Sequence, residues 1–119
     1  MKRNEASGQS EITQVSCGDV FLYELVNGRP ENLGTAVIYK WNTDRSFEAL
    51  VVLEQFDKET LHPWGGTMLL NDIVQIIGHW DADRVIRALN EGGEKTGLSV
   101  DSERIDRLRI EFIKPPIKV

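Results

Sequence analysis

Cysteine is nearly missing from this sequence, where Cys17 stands alone. A single thiol excludes an intrachain disulfide and any zinc site built on paired cysteines. Histidine is scarce too, with only His62 and His79. A zinc site needs about three or four converging ligands. The carboxylates nearest His79 in the chain, Asp81 and Asp83, are better explained as a helix cap and a dipole partner. No metal and no other cofactor is expected. Long apolar runs are also absent. Nothing approaches the ~20 residues of a membrane helix or the ~7–15 of a secretory leader, so a cytoplasmic protein without a membrane partner is expected.

Positive charge is in deficit, with 14 Lys and Arg against 19 Asp and Glu for a net −5. Such a field repels phosphate backbones and counts against nucleic acid as a partner. Catalytic punctuation is missing as well: there is no G-x-S-x-G elbow and no H-E-x-x-H. Gly92-Gly93 follows a helical pattern rather than opening one, and Gly65-Gly66 lacks the Lys-Ser/Thr of a phosphate loop.

What is present describes one globular domain. The chain has 119 residues, 40 % hydrophobic and 28 % charged, and a chain of this size buries about 65 % of its unfolded surface. Residues 1–16 are polar and poor in core formers, which reads as a flexible tail. Residues 17–114 read as a single α+β domain, and residues 115–119, opened by Pro115 and Pro116, as an extended tail.

Three segments are dense in β-formers: residues 20–26 (VFLYELV), 33–41 (LGTAVIYKW) and 47–56 (FEALVVLEQF). Turn-forming clusters at 27–32 and 42–46 separate them, so the expectation is an antiparallel meander of three strands. Residues 61–66 (LHPWGG) read as a breaker. Residues 67–80 fit two patterns: a helix with one broad apolar face, or a hairpin turning at Asn71-Asp72. The helix fits better. Residues 82–91 form a clear helix, capped by Asp81 and stopped by Gly92-Gly93. Alternation at 107–113 (RLRIEFI) predicts a C-terminal strand completing the sheet. The fold expected is therefore α+β, with one or two helices packed on one face.

Pairing Trp41 with Phe47 sets Lys40 opposite Glu48, a favourable cross-strand pair. It also sets Ile38 opposite Leu50 and Ala36 opposite Val52, while pairing Val26 with Leu33 lays Phe21 beside Ile38. One face then carries Leu22, Val37, Tyr39, Trp41, Phe47, Val51 and Leu53. The other carries Phe21, Tyr23, Leu25, Ile38, Leu50 and Val52. Two dry faces need two covering layers; the second face is covered within the monomer, used as a dimer or partner interface, or curled around a ligand, and an uncovered apolar patch marks an interaction site. Those six residues are thus the candidate protein interface of a non-enzymatic binding protein, a homodimer or the partner of another protein. By analogy with proteins that neutralise a basic target, acidity favours a basic partner.

The competing expectation is a small-molecule ligand or simple acid/base chemistry in a cavity between sheet and helices, lined by Tyr23, Glu54, Trp64 and His79. Glu24 and Glu54 sit within apolar strands, where a carboxyl can acquire a raised pKa and act as a general acid or base. The plainer reading puts each at a strand end or opposite a cation. Arginines 84, 87, 104, 107 and 109 are interspersed with acids and read as a salt-bridged surface. No residue is assigned a catalytic or metal-binding role.

Overall fold

The computed structural model describes residues 12–24, 33–55, 58–96 and 100–119, leaving aside the side chains of 53–55, 58–60, 62–64 and 93–96. The strands are β1 (Gln14–Val15), β2 (Asp19–Glu24), β3 (Leu33–Trp41), β4 (Ser46–Gln55), β5 (Lys58–Leu69), β6 (Gln75–His79) and β7 (Ile117–Lys118). The helices are α1 (Ala82–Thr96) and α2 (Ser102–Phe112). The architecture is α+β, with a five-stranded antiparallel sheet of order β5-β4-β3-β2-β6 and a small β1-β7 sheet. The expected meander is its centre, and Trp41↔Phe47 and Lys40↔Glu48 pair as the turn chemistry requires.

Three local expectations are corrected. Residues 61–66 do not break the chain; they lie inside β5, where His62, Pro63 and Trp64 form an irregularity between the Leu50↔Gly65 and Val52↔Leu61 pairs. Pro63 lacks an N–H, and β5 is an edge strand, where that loss is tolerated. Residues 67–80 are not a helix. β5 continues to Leu69, a 3-10 turn occupies Leu70–Asp72, and β6 follows. The β-branched residues there (Thr67, Ile73, Val74, Ile76, Ile77) suit strands, and Asp72 closes the turn by accepting the Leu69 N–H at 2.8 Å. Residues 107–113 belong to α2 rather than to a strand. Asp101 caps that helix by accepting the Arg104 N–H at 2.8 Å, and Ile105, Leu108 and Phe112 recur at helical spacing toward the core.

The sheet is strongly curled. Flat, five strands spaced ~4.8 Å would hold their edges ~19 Å apart. Residues 70–74, partly in a 3-10 turn, reach only about 16 Å, yet they join β5 to β6 on opposite edges. Phe21 and Phe47 pair with Ala36 and Trp41, five positions apart on β3. Their rings nevertheless meet edge to face at 5.5 Å.

Curling gives the sheet two cores. On one face Val20, Val37, Leu50 and Leu61 pack beneath Trp80, Val85, Ile86, Leu89 and Leu108. α1 lies so close to β5 that a methyl on Gly92 would collide with the Leu61 carbonyl. That contact explains why glycine stands at position 92; the helix does not stop at Gly92-Gly93 as expected but runs to Thr96. On the other face Phe21, Ala36, Ile38, Phe47 and Ala49 are covered by Ile12, Val15, Cys17, Leu70 and Ile73. Each large side chain buried this way contributes about 1.5–3 kcal/mol. Residues 12–16, expected as tail, thus hold part of the cover, and Val15 and Ile117 pair across β1 and β7. Residues 1–11 lie outside the described residues.

Candidate functional site

The proposed interface residues do not share a surface. The β2–β3 register lies two residues from the expected one (Phe21↔Ala36), an even shift that preserves the faces. The β3–β4 register slips by one residue at Tyr39, giving Val37↔Leu50 and Ile38↔Ala49. An odd shift exchanges faces. Phe21, Tyr23 and Ile38 therefore join the core under the N-terminal segment, and Leu50 and Val52 join the core under the helices. Phe21, Ile38 and Leu50 are fully buried within the chain and present nothing to a partner. Leu25 lies outside the described residues.

Of the expected ligand-lining set, Tyr23 and His79 are not brought together. Tyr23 stands at one end of β2, packed on Gly34, whereas His79 pairs with Asp19 at the other end. Glu54 pairs with Glu59 on the β5 edge, remote in the sheet order from β6. The side chains of Glu54 and Trp64 lie outside the described residues, as does that of His62. Glu24 ends β2 and is exposed to solvent.

His79 has a defined polar partner. Its Nδ1 lies 2.8 Å from Asp19 Oδ1, and the Asp19 carboxylate also accepts the Ser16 N–H at 3.0 Å. The turn between β1 and β2 needs Gly18, which has φ +98°; a side chain there would strike the Trp80 carbonyl and the His79 ring. The dyad thus pins the turn against β6. Next to it, burial above all, with help from the Glu111 charge, pushes the Cys17 thiol up to about 12. A thiol so hard to ionise is a poor nucleophile. Among the described residues, no cluster of three or more His, Cys, Asp or Glu is arranged to hold a metal ion, and no helix is long and apolar enough to cross a membrane.

A groove of about 420 Å³ does lie between helix and sheet, but it is formed by α2 and the β3–β4 hairpin, and among the described residues none of the expected lining set borders it. Tyr39, Lys40, Asn42 and Glu48 line it from the sheet; Asp101, Arg104, Arg107, Leu108, Ile110 and Glu111 line it from the helix. The α2 contributions recur at helical spacing, a signal hidden by the alternation at 107–113. Arg104 stacks over the Tyr39 ring, with 5.7 Å from Cζ to the centroid. Burial raises the Tyr39 phenol above its ordinary range, and Arg104 partly offsets this. Glu48 accepts hydrogen bonds from Thr67 Oγ1 at 2.5 Å and Asn42 Nδ2 at 2.6 Å, and these hold its carboxyl below the usual range.

The remaining feature is the β6 edge. β6 pairs with β2 on one side only. The ladder carries a bulge between Val20↔Gly78 and Phe21↔Ile76, so Ile77 is the extra residue. Val74 and Ile77 are 45 % and 50 % exposed. Comparison with protein-family models, curated proteins and solved structures yields no match for this chain.

Proposed function

We propose that this is a non-enzymatic binding protein, cytoplasmic and acting through protein–protein contacts, that self-associates as a homodimer along β6. The observation that carries the reading is the β6 edge, with Val74 and Ile77 half exposed on it. Both sheet faces are filled by the chain's own segments, so apolar contact shifts to the rim of the sheet. Residues 73–78 (IVQIIG) carry no charge, whereas isolated edges are commonly protected by charged side chains. Two copies at −5 each repel, and a charge-free strip is where they meet at least cost. The bulge turns Ile77 out of the ladder, so the contact is made by side chains rather than by a continued sheet. A two-fold axis there sets Ile77 against its own counterpart. The buried free Cys17 is compatible with a reducing compartment.

Multi-angle light scattering tests the reading. The wild-type chain is expected at twice its 13.5 kDa mass. Val74→Lys with Ile77→Lys should return it to single mass with an unchanged far-ultraviolet circular dichroism spectrum. Raising the salt concentration should favour the dimer by screening like charges. A wild-type protein of single mass at every attainable concentration overturns the proposal.

A further inference from the structure

We propose that the groove between α2 and the β3–β4 hairpin binds a small amphipathic anion, a flat apolar ring bearing one carboxylate or phosphate. This inference does not depend on the dimer, since β6 contributes nothing to the groove lining.

The apolar part of the ligand has a defined seat. Ile110, 56 % exposed, and Tyr39, partly buried with Arg104 over its ring, supply the aliphatic and aromatic floor, which the buried Leu108 backs from the core. The volume lies within the ~300–1,000 Å³ range of sites that hold small organic molecules.

The charge follows from which groups are already engaged. Each acid of the lining accepts a hydrogen bond from the protein. Glu48 takes Thr67 and Asn42, and Asp101 takes the Arg104 N–H. Glu111 takes the Trp41 N–H at 3.4 Å and Lys114 Nζ at 2.8 Å. The donors are less occupied. Lys40 makes no hydrogen bond or ion pair among the described residues, although Glu48 stands opposite it in the ladder. Arg107 spends one nitrogen on the exposed Glu103, at 2.6 Å, and such pairs give way at little cost. Arg104 is committed to the Tyr39 ring. The groove therefore offers spare donors beside an apolar floor, and a ligand with acceptor oxygens on a flat body satisfies both. An uncharged ring would leave those donors to water. A bare anion would leave the floor empty.

The test is a ¹⁵N NMR titration of the full chain with indole-3-acetate, adenosine monophosphate and, as the uncharged control, indole. At least one of the two acids should shift the amides of Tyr39, Lys40, Arg107 and Leu108 in a saturable way, and whichever saturates at lower concentration identifies the carboxylate or the phosphate as the preferred head group. Indole should bind at least tenfold more weakly than indole-3-acetate if the head group contributes a charge-assisted hydrogen bond. Lys40→Gln with Arg107→Gln should weaken the acid by roughly tenfold or more while leaving the circular dichroism spectrum unchanged. The proposal is overturned if neither acid shifts these amides, if indole binds as tightly as indole-3-acetate, or if the double variant binds like wild type.

Discussion

His79 Nδ1 and Asp19 Oδ1 lie 2.8 Å apart, joining the last strand of the sheet to the turn that begins β2. The two ends of this bond differ, because the Asp19 side chain is 13 % exposed and the His79 side chain 55 %. Removing the buried end also strips the Ser16 N–H of its acceptor. Asp19→Ala is expected to cost about 1–3 kcal/mol and His79→Ala about 1 kcal/mol or less. Urea denaturation of both variants checks the order, and an equal or reversed cost contradicts it.

Gly92 sits inside α1, where alanine ordinarily adds ~1 kcal/mol of helix propensity. Here the added methyl meets the Leu61 carbonyl. Gly92→Ala is expected to destabilise by about 1–3 kcal/mol, as overpacking does. A variant that melts higher than wild type would show that α1 and β5 have room to separate.

Burial raises the Cys17 thiol from 9.0 to about 12, so the folded state favours the neutral form. Stability tied to this group is fully present below the ordinary thiol value and declines as pH rises from about 9 toward about 12. At neutral pH Cys17 should resist a thiol-disulfide reagent in the folded protein and react at once in denaturant. Rapid labelling without denaturant would contradict this protection.

Glu48 behaves in the opposite sense. The hydrogen bonds from Thr67 and Asn42 favour its carboxylate, so the stability it contributes is present above its ordinary value and lost as pH falls through the lowered one. Thr67→Ala should move the Glu48 titration upward, as followed by carboxyl-carbon NMR. An unmoved titration would assign the effect to Asn42 and Lys40 instead.

Parts of the site were beyond reach from residues alone. The groove is formed where α2 passes the β3–β4 hairpin, more than fifty positions away in the chain, so no local pattern announces it. Burial of Phe21, Ile38 and Leu50 depended on covers that composition hides. The polar residues around Ile12 and Val15 look like a tail until Val15 pairs with Ile117 and turns inward.

Turn chemistry, alternation and capping are local, so the residues alone foretold the three central strands to within a residue or two at the ends described, the pairing of Lys40 with Glu48, and the Asp81 start of α1. Three further matters were settled by long-range packing: whether 67–80 and 102–112 were strand or helix, where β3 and β4 slip by one residue, and which segment covers each face. Short apolar runs satisfy either periodicity equally well, and the choice falls to the neighbour that completes their hydrogen bonds and removes their side chains from water.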